Sequence, residues 1–576
     1  MTNRQTVSDV VADVCASHAD VIFGLMGNGN AFFTSSLTSR GMRYISARHE
    51  AGTVAMADAY HRASGKVAVA TVTYGAGFTN SLTALTEAAK AQVPMVVVVG
   101  DAPAAGPRPW DIDQVMVARG LGVQTLTVAA DNAARTAEEA WTIARQERRP
   151  VVVALPYDIS SLPAVEQQPV QARPAGKVLH PDSLDVRRIA ALLTQAERPL
   201  IIAGRGAVLS NARAALLELG DRLGALYATS VRARNFFDSP WDLGIAGGFA
   251  RPEAVDIMRQ ADAVLVVGAG LNLFQTRYGS LFAPGTSVIQ IDEQPAATCD
   301  QVTDFVQADA AAFTWQLAAA VPSATGGGWR AAHPELPAGP VGNNQPAPEF
   351  APDGRLNPHA VARLLDSVLP AERTIVQDGG HFCGWMPMYC QVPDPEGLMM
   401  VGTAFQTIGL GLPAAVGAAA ARPDRTTVLI SGDGGALMAL ADLETAVREI
   451  ASGVMVVFND AAYGAEIHQY AVRGLDDTAM QIEEVDFSAV ARAMGARGTK
   501  MRSLADVTAL REWQAAGARG LFVLDVAISQ SVVADYMRES MAPILAADQA
   551  LAEQESASPE PATPEPALAG VASASA

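Results

Sequence analysis

The stretches TTVLISGDGG (426–435) and GVMVVFND (453–460) decide the fold. Each is a short apolar run that stops at a turn of Gly, Asp or Asn, the length and punctuation of a buried strand. The same pattern recurs in VAVATVTYG (67–75), PMVVVVGD (94–101), RPVVVALP (149–156), RPLIIAGRG (198–206) and ADAVLVVGAG (261–270). Between such runs lie Ala- and Leu-rich stretches with helical spacing, among them TNSLTALTEAAKA (79–91) and NARAALLELGDRLGA (211–225). Strand and helix therefore alternate, which predicts an α/β class with parallel sheets covered by helices on both faces.

Two stretches break the rhythm, QQPVQARPAGKVLHPD (167–182) and the Pro/Gly-rich 324–354, and both read as linkers. Cutting there leaves three units, 1–166, 183–323 and 354–540, each of the size that one doubly wound sheet fills. The chain from 545 to 576 ends in low-complexity Ala/Pro/Glu/Ser and is expected to be disordered.

With 576 residues, 49% hydrophobic and 18% charged, the chain is neither a small module nor an unfolded polymer. Its 60 acidic residues outnumber 41 basic ones, and a formal charge of −19 repels phosphate backbones and anionic lipid. Nucleic acid and membrane are thus not expected partners. Four cysteines, none in CxxC spacing, form no disulfide framework and no zinc site. The opening MTNRQTVSDVVADVC is charged where a signal peptide is apolar, and no run approaches about 18 apolar residues, so a cytoplasmic location is expected.

The SGDGG turn (431–435) ends a strand and starts a helix, bringing backbone N–H groups and Asp433 to one point, a geometry suited to a diphosphate and a metal. Asp460 follows 27 residues later, at the end of the next strand. Two strand ends of one parallel sheet can give both carboxylates to one Mg2+, which prefers hard oxygen ligands. Either piece alone is an ordinary turn; the spacing makes them a pair.

At these residues the sequence resembles the thiamine-diphosphate (ThDP) dependent enzymes of the acetolactate synthase and pyruvate decarboxylase superfamily, over about residues 1 to 540. The resemblance implies a pyrimidine-binding domain, a central domain and a diphosphate-binding domain. The family motif is GDG followed by NN; here it stands as Gly432-Asp433-Gly434 and Asn459-Asp460, with Asp in place of the second Asn. The implied metal ligands are Asp433, Asp460 and the carbonyl of Ala462, with Gly435 completing the diphosphate turn. YISARHEAGTVAMADAYHRASGKVAVATVTYGAGFTNSLTALTEAAKAQVPMVVVVGD (44–101) resembles the pyrimidine-binding domain and makes Glu50 the carboxyl that protonates the aminopyrimidine, with Tyr74 and Asn80 nearby as cofactor contacts. GTAFQTIGLGLPAAVGAAAARP (402–423) supplies Ile408 as the wedge that bends the cofactor and Gln406 as a carbonyl acceptor for its amino group. DGGHFCGW (378–385) puts His381 and Cys383 near the diphosphate.

For the substrate side the same resemblance points to Asn28 in FGLMGNGNAFF (23–33), to Gln114 in WDIDQ (110–114), and to Glu466 with His468 in DAAYGAEIHQY (460–470). It implies decarboxylation of a 2-oxo acid to a ThDP-bound enamine. Gln114 favours carboligation in the manner of acetolactate synthase, whereas Glu466 favours protonation to an aldehyde. GAE also resembles the sulfoacetaldehyde acetyltransferases, and a ThDP oxidase linked to FAD is a further alternative. FAD stays open, because acetolactate synthases carry it in the central domain and pyruvate decarboxylase-like members do not; the GxGxxG fingerprint of a nicotinamide dehydrogenase is absent. The family pairs its two cofactor domains across subunits, which implies a homodimer or homotetramer.

Overall fold

The computed structural model describes residues 5–165, 178–323, 327–339, 341–342 and 347–557. Three six-stranded parallel sheets organise them. The first holds β1 (Val21–Gly24), β2 (Arg43–Ser46), β3 (Ala68–Val72), β4 (Met95–Asp101), β5 (Gln124–Thr127) and β6 (Pro150–Pro156), in the spatial order β2-β1-β3-β4-β6-β5. The central sheet holds β7 (Pro199–Ala203), β8 (Leu226–Thr229), β9 (Asp242–Ile245), β10 (Ala263–Val267), β11 (Ser287–Asp292) and β12 (Asp304–Gln307). Its order, β12-β11-β10-β7-β8-β9, is that of dinucleotide-binding sheets. The third, of β13 (Arg373–Gln377), β14 (Leu398–Met400), β15 (Thr426–Gly432), β16 (Ser452–Asn459), β17 (Arg497–Met501) and β18 (Gly520–Ala527), repeats the order of the first.

Inner strands such as β6 and β15 are buried at every residue, which is why they read as unbroken apolar runs: helices cover both faces. In a doubly wound sheet the loops diverge where the strand order reverses, and that opens a crevice at the carboxyl ends of the strands. The reversal falls between β1 and β3 in the first sheet and between β13 and β15 in the third.

One apolar core runs through both of these domains. Helix Glu50–Ser64 lies on helix Gly411–Ala421 so closely that a Cβ on Gly417 would stand 1.9 Å from the Met56 carbonyl oxygen. His49 starts the first of these helices by accepting from Ala51 N, and Gly65 ends it in the left-handed region at φ 72°. These two caps fix where Glu50 sits.

The tail departs from expectation. Residues 545–557 continue the helix Asp535–Ala557, because Ala, Leu, Gln and Glu are strong helix formers and Arg473 pairs with Asp548 at 2.6 Å. The Pro-rich remainder, 558–576, lies outside the described residues, as do 166–177 in the first linker and 324–326, 340 and 343–346 in the second.

Candidate active site

The carboxyl end of the third sheet gathers the metal candidates. Asp433, 3% exposed, opens a short helix after β15, and its Oδ1 accepts from Gly434 N at 2.9 Å. Ala462 N donates to Asp433 Oδ2 at 3.2 Å, so the loop after β16 closes directly onto the GDG turn. Asp460 is equally buried, and its charge adds to desolvation in pushing the Asp433 carboxyl up to about 7. Asp460 Oδ2 has no hydrogen-bond partner. His381 Nε2 stands 2.9 Å from it but at an angle that makes no bond, and both ring nitrogens of His381 are buried without partners. Glycine is required here: a Cβ on Gly464 would meet Asp460 Oδ2 at 2.5 Å, and one on Gly435 would meet Asp378 Oδ2 at 2.6 Å.

Two buried carboxylates with an unpaired oxygen and no cation between them fit a divalent ion. No group of three or more His, Cys, Asp or Glu is arranged for a metal among the described residues. The coordination shell of such an ion therefore needs carbonyl and diphosphate oxygens, the donors that Ala462 and ThDP would supply.

Asp378, at the end of β13, was missed by sequence reasoning. It is fully buried, accepts from Gly379 N at 2.8 Å and from Gly409 N at 3.1 Å, and takes a bond from Ser431 Oγ at 3.2 Å. It thus ties the strand before the GDG turn to the loop carrying Ile408. The Ile408 Cγ2 lies 3.0 Å from where a Gly379 Cβ would be, and Gln406 adopts a left-handed φ of 59°. The signal was the Asp-Gly-Gly triplet after an apolar strand, the same grammar as GDG.

The first sheet gathers a second set. Glu50 is half-buried, and its Oε2 accepts from Asn80 Nδ2 at 3.0 Å. Asn28, exposed in the turn after β1, donates to Tyr74 Oη at 3.0 Å. Arg108, also unanticipated, stacks 4.4 Å over the Tyr74 ring and is held by Asp111 at 2.8 Å. Gln114 is buried with both amide ends engaged: Oε1 accepts from Gly75 N at 2.7 Å, and Nε2 donates to Gly100 O and Asp101 Oδ1. That gives it the role of holding the Tyr74–Gly75 turn, not of an open substrate contact.

Glu466 is exposed on the short helix Gly464–Tyr470. His468 is buried, with Nε2 2.7 Å from Gln530 O and its ring edge-on to His381 at 4.9 Å; burial lowers its pKa. Burial pushes the Cys383 thiol up to about 12, which leaves it inert.

The Glu50 carboxylate makes its hydrogen bond within its own domain, to Asn80. The domains join through Arg48 N to Asp442 Oδ1 at 2.7 Å and Phe405 N to Glu87 Oε2 at 2.7 Å. In the central sheet, at the reversal between β7 and β10, Gly204 N and Gly206 N donate to Val267 O and Gly268 O, so these N–H groups are not offered to a pyrophosphate. No helix of the described residues is long and apolar enough to cross a membrane.

Comparison with known proteins follows this division. Residues 5–118 match the thiamine pyrophosphate enzyme N-terminal TPP binding domain, 186–317 the central domain and 378–526 the C-terminal TPP binding domain. A sulfoacetaldehyde acetyltransferase of Rhodobacter capsulatus is 28% identical, over 94% of this chain and 98% of that protein. The acetolactate synthase isozyme 2 large subunit of Escherichia coli is 28% identical, over 76% of this chain and 80% of that protein. The benzoylformate decarboxylase structure from Polynucleobacter necessarius superposes with a TM-score of 0.77 at 21% identity, covering 92% of this chain and 99% of that one, a likeness of fold. The three domain matches fall on the three sheets along the chain, which belongs to the thiamine pyrophosphate enzymes.

Proposed function

We propose that the protein uses ThDP and Mg2+ to decarboxylate a 2-oxo acid and to join the remaining fragment to a second carbonyl, as its acetolactate synthase relatives are named for doing. The buried Asp433–Asp460 pair, with its unpaired oxygen, supports this reading: among the described residues no Lys or Arg pairs with either carboxylate, and only His381 stands beside Asp460. When bound, ThDP supplies the nucleophilic carbon and the electron sink for loss of CO2.

The chain's own residues do the rest. Asp433, Asp460 and the Ala462 carbonyl would hold Mg2+, and the N–H groups of the 432–435 turn, with His381, would face the diphosphate. Ile408, braced against Gly379, would set the bend of the cofactor, and Gln406 O would take its amino group. Glu50, oriented by Asn80, would hold the proton on the aminopyrimidine ring. Glu50, whose carboxylate bonds only to Asn80 of its own domain among the described residues, would serve a second copy, in a homodimer or a pair of dimers. Asn28 and Arg108, displayed together on Tyr74, form the polar wall for the substrate carboxylate.

Release of an aldehyde is the second reading, favoured by Glu466, an exposed acid six residues after Asp460 that is available to give a proton. The test is Glu50→Gln. ThDP affinity is expected to survive while turnover of pyruvate or a larger 2-oxo acid falls about 100-fold, within the usual range for a lost acid–base group. NMR of the products then separates acetohydroxy acids from free aldehyde. Full turnover in Glu50→Gln would overturn the assignment.

A further inference from the structure

Beside the edge strand β9, the central domain, the turn at 336–339 and helix Trp385–Tyr389 of the C-terminal domain enclose a cavity of about 160 Å3. None of the residues assigned to ThDP lines it. Arg234 and Arg251 do, and they are only 6% and 7% exposed. Neither makes an ion pair among the described residues. Arg234 gives Nη2 to Gln391 Oε1 at 3.3 Å; Arg251 gives Nε to Met388 O and Nη1 to Val341 O, at 2.8 and 2.7 Å. Among the described residues, Arg234 Nε and Arg251 Nη2 are buried without an acceptor.

A buried guanidinium without a counter-charge is costly, and the cost here is doubled. Burial lowers the pKa of both, that of Arg251 to about 10. Three carboxylates stand nearby. Asp242 lines the cavity and accepts from Gly244 N at 2.9 Å, Asp366 is bound to Arg373, and Glu253 lies two residues beyond Arg251. With Asp242 ionised the cavity lining still keeps one positive charge, and its volume suits only a small molecule.

We propose that this cavity binds a small oxyanion, a short carboxylate or inorganic phosphate, held by the Arg234 and Arg251 guanidinium groups that line it. Its walls come from two domains and the linker between them, so an occupant would clamp the central domain to the C-terminal one. The site is separate from the thiamine chemistry and stands or falls independently of it.

The test titrates the enzyme, saturated with ThDP and Mg2+, with acetate and separately with phosphate by calorimetry, at ionic strength held constant with chloride. One site per chain is expected for at least one of the two anions, and the tighter one names the ligand class. Its affinity should fall at least tenfold in Arg234→Gln and in Arg251→Gln, while ThDP affinity is unchanged. No binding by the wild type, or undiminished binding in both variants, would refute the site. Should a variant fail to fold, selenate soaked into wild-type crystals decides: an anomalous peak between the two guanidinium groups supports the site, and its absence overturns it.

Discussion

Replacing Gly417 by Ala tests the helix contact that places Glu50. The ideal Cβ would lie 1.9 Å from Met56 O, 2.7 Å from Met56 C and 2.9 Å from Met56 Cα, all backbone atoms that no rotamer change can move aside. Carbon contacts relax only at about 3.5 Å, so the helices must separate by roughly 1.5 Å. That opens a seam lined by Val54, Ala55, Ala414 and Ala418, all at most 1% exposed. Overpacking costs about 1–3 kcal/mol, and a clash with backbone belongs at the upper end. Against this, Ala is about 1 kcal/mol better than Gly inside a helix. The clash wins by about 2 kcal/mol, or roughly 4–8 °C in the melting midpoint for a domain of this size. Turnover should fall as well, since Glu50 opens the displaced helix. The control is Gly120→Ala, whose Cβ would meet nothing within 4 Å and whose midpoint should hold or rise. If Gly417→Ala melts with or above the wild type, the close packing of the two helices is refuted.

Further outcomes follow from the site. Asp433→Ala should weaken Mg2+ and ThDP together, at least tenfold each in calorimetric titration; full affinity would place the metal elsewhere. Burial pushes Asp378 up to about 6 from the ordinary 3.8, so the folded protein holds that proton more tightly than the unfolded chain. The stability this gives is complete below about pH 4 and is lost as pH rises through 6. Asp378→Asn should flatten that part of the midpoint-versus-pH curve, and an unchanged slope would contradict the assignment. Burial raises the pKa of the thiols of Cys15, Cys383 and Cys390, so of four cysteines only Cys299 should react promptly with a disulfide reagent at pH 8, and all four after unfolding.

Much of the site was legible because its chemistry is punctuated by glycine. GDG followed at a fixed distance by Asn-Asp identifies two strand ends, and the structure joins them through the Ala462 N to Asp433 bond. Gln114 shows where that legibility stops: its type suggested a substrate contact, yet both amide ends are taken by backbone and Asp101. The roles of Asp378 and Arg108 were missed for the opposite reason, even though the Asp-Gly-Gly triplet marked the first. Their roles arise from partners 31 or more residues away, at Gly409 and at Tyr74.

By itself the sequence determined the class of fold, since apolar runs of strand length, rich in Val and Ile, closed by glycine turns and alternating with helical stretches read as buried strands of parallel sheets. It also determined the chemistry on offer, because residue types and their spacing along one strand-turn-helix unit are local properties. Only the tertiary structure decided what each charge faces. Whether a carboxylate or guanidinium is paired depends on segments far apart in the chain: Arg234 meets Gln391, 157 residues on, and Arg48 meets Asp442, 394 residues on. Pairing is a matter of burial and distance, and neither quantity is written in a linear chain.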